Sequence, residues 1–314
     1  MTEPGDLIGE TATVLARRGG AYLIRLGDEQ LTAVLQGKLK QGGQDSVVVG
    51  DTVQVERNDD SISITSVDRR RSLLVRRVAG GRRAGKPVAA NLDQVVVVTA
   101  ARDPDPGART LDRFLVIAEA NGLPAVLVVN KVDLDPGAAA AIERRFTRAG
   151  YHVLPTSARS QLGIPAFRDL LHGRISLLTG PSGVGKSSLL NAVQPGLSLR
   201  TGPIGKKSRG GTRTTMTAEM LPLDLGGYVV DTPGLREVGL WDVDRDALGG
   251  CFPEFRPFLD GCRFNNCRHV TEPGCALRGA VESGAIDAER LESYRGMLEE
   301  VSVPSWSSGR RRGS

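Results

Sequence analysis

Over the first part of the chain, apolar residues alternate with polar ones in short runs. Residues 11–15, 21–26, 31–35, 47–55 and 62–67 each carry the period-two, β-rich pattern of a strand. Gly19-Gly20, Gly27-Asp28, Gly42-Gly43 and Asn58-Asp59 fall between them as turns. Five short strands packed this closely predict a small barrel over residues 1–68. An OB-like barrel fits, and an SH3-like barrel gives nearly the same pattern.

The rhythm changes from residue 93. Continuous apolar runs at 95–101, 125–129, 153–155 and 175–179 read as buried strands. Helical spacing over 111–121 and 138–149 fills the gaps, closed by Gly122 and Gly150. Strand–helix alternation predicts a parallel sheet covered on both faces. Between the two regions, residues 69–90 hold Arg69, Arg70, Arg71, Arg76, Arg77, Arg82, Arg83 and Lys86, with glycines among them. That stretch reads as a basic linker, either a solvated tether or a set of phosphate contacts. Residues 242–302 break into short segments with prolines and cysteines, then a helix over 288–301, and 303–314 is a basic tail expected to be disordered.

Composition narrows the classes. The chain has 314 residues, 40% hydrophobic and 25% charged, with net charge +5. These are values of a soluble globular protein leaning toward polyanions. The start, MTEPGDLIGE, lacks a basic segment and an apolar core, and no apolar run is long enough to span a bilayer. A cytoplasmic protein without membrane contact is expected.

The chemistry sits in five motifs. Gly180 to Ser187 reads GPSGVGKS, a phosphate-binding loop between the strand at 175–179 and a helix at 188–193. Backbone N–H groups from Gly180, Ser182, Gly183, Val184, Gly185 and Ser188 are expected to line it, with the helix N-terminus adding positive potential. Lys186 is placed to reach the β- and γ-phosphates, and the Ser187 hydroxyl to ligate Mg²⁺. Asp231 to Gly234 reads DTPG after a strand, the γ-phosphate sensor, with Asp231 holding Mg²⁺ through water. Asn130, Lys131 and Asp133 form an N-K-x-D motif at a strand end. A carboxylate at Asp133 accepts from both donors on one edge of guanine, which adenine lacks, with Asn130 on the opposite edge. Thr156-Ser157-Ala158 follows the next strand and offers a backbone N–H to guanine O6. Between the phosphate loop and D-x-x-G, residues 196–217 read as a switch loop in which one threonine, Thr215 first and Thr214 second, meets Mg²⁺ and the γ-phosphate. Leu235 follows D-x-x-G where a water-orienting glutamine is usual in Ras-type enzymes, so slow intrinsic hydrolysis is expected.

The fifth motif is Cys262, Cys267, His269 and Cys275, three sulfurs and one imidazole within fourteen residues. The set suits one structural Zn²⁺ with no open position. Cys251 lies outside it and reads as a small apolar residue.

The nucleotide motifs resemble those of translation-factor-like GTPases, but N-K-x-D and T-S-A precede the phosphate loop. The order is circularly permuted, which is tolerable where domain termini lie close. With Asn91-Leu92-Asp93, the run DTPGLRE at 231–237, Phe252 to Phe255 and the cysteine cluster, nearly the whole chain resembles the RsgA (YjeQ) family. The resemblance implies an α/β, circularly permuted GTPase domain (91–241), an N-terminal OB-like barrel (1–68) and a C-terminal zinc-binding helical module (242–302). It also implies GTP/GDP and Mg²⁺, and a monomer that binds the small ribosomal subunit and its rRNA late in assembly and is stimulated by it. One departure stands out. The family's switch loop carries G-x-H-T-T, and here Arg213 replaces the histidine. A histidine role does not carry over; Arg213 reads instead as a cation for transition-state charge. Two other readings stay open: an rRNA-binding scaffold with a regulatory GTP site, and a permuted GTPase acting on another RNA.

Overall fold

The period-two segments fold into a closed barrel. In this computed structural model, which describes residues 10–37, 39, 47–58, 61–76, 86–105, 107–197, 218–232 and 243–302, they are β1 (Glu10–Arg18), β2 (Ala21–Leu26), β3 (Glu29–Leu35), β4 (Thr52–Asn58) and β5 (Ser61–Val67). Their order is β1-β2-β3-β5-β4, and β4 returns to pair with β1. This is the Greek-key closure of an OB-like barrel. Val14, Tyr22, Ile24, Val53, Val55 and Ile64 fill the interior.

Two strand assignments differ from the sequence pattern. The run 47–55 becomes a strand only at Thr52. Before it the backbone turns, because the fully buried Asp51 carboxylate accepts from Val48 N–H at 2.8 Å and Asp51 N–H donates back to Val48. In β1 the register with β2 slips between Val14 and Ala16. That bulge turns Leu15 out of the barrel and into the neighbouring α/β core, the cluster that also holds Met220.

The basic stretch 69–90 is not a plain loop. β6 (Leu73–Arg76) and β7 (Lys86–Ala90) pair as an antiparallel ribbon. Leu74 and Ala89 are buried in the α/β core, apolar anchors that the charge run hides. Arg70 makes two hydrogen bonds to Asp51, at 2.7 and 2.9 Å, and Arg71 pairs with Asp93 at 2.8 Å. Arg70 ties the connector to Asp51 of the barrel and Arg71 ties it to Asp93 of the α/β region, so both cations are occupied by protein carboxylates.

The α/β region runs β8 (Gln94–Ala100), α1 (Ala108–Ala120), β9 (Ala125–Asn130), α2 (Pro136–Arg148), β10 (His152–Pro155), α3 (Ile164–Leu171), β11 (Ile175–Thr179), α4 (Lys186–Val193), β12 (Glu219–Pro222) and β13 (Tyr228–Asp231). The sheet order is β10-β9-β8-β11-β13-β12, and β12 continues onto β1 of the barrel through Ala16 opposite Glu219. The expected parallel sheet holds for β10 through β13, while β12 is antiparallel. Every residue of β8 is buried, as the unbroken apolar run requires. Helix α3, absent from the sequence reading, is short and packs Phe167 and Leu171 under β8 and β11.

Asn91 and Asp93 tie three units together. Asn91 stands at φ 58. Its amide accepts from Arg71 N–H at 2.8 Å and donates to Gly50 O at 2.9 Å. Asp93 accepts from Ile175 N–H at 2.8 Å, at the start of the strand that leads to the phosphate loop.

The C-terminal region holds two 3-10 helices, at Leu248–Cys251 and Pro253–Gly261, then α5 (Ala276–Glu282) and α6 (Ala288–Ser302). Its core is Phe252, Phe255, Leu277, Tyr294 and Met297, with Val116 of α1. Arg290 of α6 is fully buried. It donates to Asp112 of α1 at 2.7 Å and to Glu254 at 2.5 and 3.1 Å, and it lies 4.6 Å from the Phe252 ring centroid. Burial alone pulls a guanidinium's pKa down, but Asp112 and Glu254 raise it on balance, so Arg290 stays charged.

Candidate functional site: a nucleotide cleft and a Cys/His centre

Four motif segments meet at the carboxyl ends of the parallel strands, where α/β sheets place ligands. Residue pairs Val129–Pro155, Asn130–Ala100, Thr179–Val97 and Leu177–Val230 set the register. Strand β11 therefore ends just before Gly180, β13 at Asp231, β9 at Asn130 and β10 before Thr156, all along one edge. A cleft of about 230 Å³ opens among the segments that follow β9, β10 and β11, lined by Asn130, Lys131, Asp133, Ser157, Ala158, Gly185 and Ser188.

The phosphate loop is held by close approach. Gly180 stands at φ +135 with its Cα against β8, and a Cβ there would lie 2.0 Å from Val98 O. Gly185, the N-cap of α4 at φ +95, leaves no room either, since a Cβ would sit 2.3 Å from Asn130 Nδ2. The buried Lys186 ammonium turns back into the loop and donates to Gly180 O at 2.7 Å and Pro181 O at 2.6 Å. Ser182 and Gly183 form the exposed crest, and Val184 is buried under it.

Asn130 crosslinks three motifs. Its Nδ2 donates to Val184 O at 2.9 Å, and its Oδ1 accepts from Ala158 N–H at 3.2 Å. One amide N–H of Asn130 remains beyond these bonds. The sequence reading assigned Asn130 to the base edge and missed this tie, whose signal lies in no spacing. Ser157 is buried, its N–H donating to Leu162 O at 2.9 Å and its Oγ accepting from Ser160 N–H at 3.1 Å. Lys131 stands at φ 59 and its ammonium donates to the Asp103 carbonyl. Asp133 is exposed at the cleft, and its carboxylate accepts no hydrogen bond among the described residues. Arg159 and Leu134 also line the cleft and were not singled out from sequence.

Two hydroxyls stand out. Ser187 Oγ and Thr232 Oγ1 are buried with no hydrogen-bond partner among the described residues. A buried orphan hydroxyl needs a reason. For Ser187, at the start of α4, a divalent cation is a fitting one, and the buried Asp231 supplies charge on the adjacent strand. Arg213, Thr215, Gly234 and Leu235 lie outside the described residues.

The sequence comparisons now bear on this geometry. The profile of the RsgA GTPase family matches residues 67–241. A protein named small ribosomal subunit biogenesis GTPase RsgA, from Gemmatimonas aurantiaca, is 47% identical over 298 residues, which is 93% of this chain and 97% of that one. This chain belongs to the RsgA GTPase family. A relative of the same name from Moorella thermoacetica is 39% identical, over 92% of this chain and 96% of its own. Among solved RsgA-like structures, YjeQ from Thermotoga maritima superposes with a TM-score of 0.78 at 34% identity, covering 97% of this chain and all of its own. YloQ, described as a circularly permuted GTPase, superposes at 0.74 and 26% identity over the whole of both chains. The permuted motif order is thus a property of the family's GTPase fold.

The second candidate site lies in the C-terminal region. The ligand atoms of Cys262, Cys267, His269 and Cys275 all fall within 4.8 Å of one another. His269 Nδ1 lies 3.4 Å from Cys262 Sγ and 3.5 Å from Cys275 Sγ. A nitrogen about 2.1 Å and a sulfur about 2.3 Å from a tetrahedral zinc would stand about 3.6 Å apart, so the spacing fits. Ala276 N–H points at Cys262 Sγ at 3.3 Å, an outer donor of the kind thiolate ligands use. Burial lowers the His269 pKa despite the nearby Glu272, which keeps the imidazole neutral. Burial also pushes the Cys267 thiol up to about 12, with Cys262 and Cys275 adding to it. A divalent cation would favour the thiolate form of its cysteine ligands.

Proposed function

We propose that this chain hydrolyses GTP to GDP and phosphate during late maturation of the small ribosomal subunit, binding its rRNA and being stimulated by it. The observation that carries the nucleotide part is the meeting of N-K-x-D, T-S-A and the phosphate loop in one cleft, tied through Asn130. Family membership and the names of the relatives support the ribosomal part.

The chain's own residues have defined tasks in this reading. Asp133 accepts from the two donors on guanine's edge, while Asn130 and Ala158 shape the pocket around it. Backbone N–H groups from 182–188 and the N-terminus of α4 cradle the phosphates. Lys186 exchanges its loop carbonyls for β- and γ-phosphate oxygens, bringing positive charge to where negative charge develops. Ser187 and Thr215 would ligate Mg²⁺, with Asp231 acting through water. The ion would neutralise phosphate charge there. Gly234 would sense the γ-phosphate, and Arg213 would stabilise the departing charge. Cys262, Cys267, His269 and Cys275 would hold one structural Zn²⁺. No helix among the described residues is long and apolar enough to cross a membrane. A cytoplasmic monomer fits the reading. The units in it are the barrel (1–68), the basic connector (69–90), the GTPase domain (91–241), the zinc module (242–302) and the basic tail (303–314).

The test is Mg²⁺-dependent GTP turnover with and without purified subunits. Stimulation by small but not large subunits is expected. Leu235 favours a second reading, a scaffold whose GTP site regulates RNA binding. Turnover that stays negligible with every subunit would select the scaffold. Lys186→Ala should lower stimulated kcat by about 10²-fold or more.

A further inference from the structure

We propose that the zinc-module loop between Cys262 and Cys267 captures an unpaired RNA nucleotide, with Phe264 stacking on its base and the cavity behind the loop receiving it. This rests on the reading that RNA is the partner, and it adds a site and a mode.

The loop is Arg263-Phe264-Asn265-Asn266, exposed throughout. Phe264 is 42% exposed although it belongs to the one residue class a small module most needs inside. Arg263 lies over its ring, 5.5 Å from the centroid, and the exposed part of the ring is available to a stacking partner. A cavity of about 620 Å³ begins at this loop, a size typical of small-ligand sites. Its wall carries Arg245 and Arg268 for phosphate or base acceptors, Asp246 and Asp260 for base donors, and Asn265 and Asn266 for either. The side chains of Asn265, Asn266 and Arg268 make no hydrogen bond or ion pair among the described residues, and Arg245 Nε is buried without one. A patch built only for duplex phosphates would lack the carboxylates and the aromatic face. Unpaired RNA is read by aromatic stacking and by hydrogen bonds to base edges, and this wall offers both.

The loop is closed by Cys267 N–H donating to Phe264 O at 3.1 Å and Arg263 N–H donating to Gly274 O at 3.0 Å, and the segment that follows it is held in place. Tyr294 donates its hydroxyl to Arg268 O at 3.2 Å. Arg295 donates to His269 O and Val270 O, and Glu272 accepts from Arg268, Val270 and Thr271 N–H groups at 2.9–3.1 Å. A rigid platform loses little entropy on binding.

The experiment uses the full chain in fluorescence anisotropy with a short unpaired RNA and a fully paired RNA duplex of equal phosphate count. Phe264→Ala should weaken the unpaired RNA about tenfold and leave the duplex within about twofold. Arg268→Gln should weaken both alike and flatten the salt dependence. Thermal midpoints establish that each variant is folded. If Phe264→Ala fails to fold, Phe264→Leu, which keeps apolar bulk and loses the ring face, decides with the same expectation. Unpaired RNA bound as tightly by the variant as by wild type overturns the proposal. So does equal loss on both RNAs. Loss of small-subunit binding with both RNAs unaffected overturns it in favour of a protein partner. Subunit-stimulated turnover of the wild type reports separately on the broader reading: if it is absent while Phe264→Ala still discriminates the RNAs, only the ribosomal assignment fails.

Discussion

The nucleotide cleft and the Cys/His centre are built by opposite routes. The cleft draws Asn130, Ala158 and Gly185 from loops that follow three different strands, and the sheet order brings them together. The Cys/His centre takes its donors from one short stretch of chain. The cleft should therefore survive changes in the C-terminal region and depend on the core of the sheet. The centre should depend on its ion and on local backbone contacts such as those of Glu272.

The sharpest break is Cys275→Ala. Structural zinc contributes about 10–16 kcal/mol in small modules, so this variant should lose metal and local order around 262–275. Metal analysis and GDP binding on the same sample check it. Retained GDP binding keeps the two sites independent, and parallel loss makes them one unit.

Arg290 joins the two regions. Arg290→Ala leaves Glu254 without its cation and Asp112 with only Arg145, 3.6 Å away, and should cost about 3–5 kcal/mol. Denaturant unfolding measures it, and a loss below about 1 kcal/mol would mean the carboxylates find other partners. In the cleft, Asp133→Asn should weaken GTP by about 10²-fold and admit xanthine nucleotides. Unchanged nucleotide preference would remove Asp133 from the base-binding role.

The C-terminal region has an alkaline limit. Burial, helped by Glu119, holds the Cys251 thiol at about 11, above its ordinary 9, and burial raises Tyr294 from 10 to about 12. Both groups ionise first in the unfolded chain. Their contribution is complete below pH 9 and is lost as pH rises through 11–12. Thermal midpoints across that range should fall, and Tyr294→Phe should lessen the fall. The smallest effect concerns two adjacent arginines. Arg71, 64% exposed, should cost about 0–1 kcal/mol on change to alanine, whereas Arg70 faces a fully buried Asp51 and should cost several times more.

The sequence by itself determined most strands of the barrel and sheet, the phosphate loop, the permuted motif order and the four metal-type donors. Each is a local pattern: a period, a spacing or a turn residue. Only the tertiary structure decided that Asn130 bridges three motifs, that Leu15 leaves its barrel for the neighbouring core, and that Arg70 is occupied by Asp51. It also turned the basic stretch into a ribbon and hid Arg290 among aromatic rings. The physical reason is common to all of these. A side chain's partner across a sheet or a helix interface is set by sheet order and register, and no spacing along the chain records which distant residue arrives there.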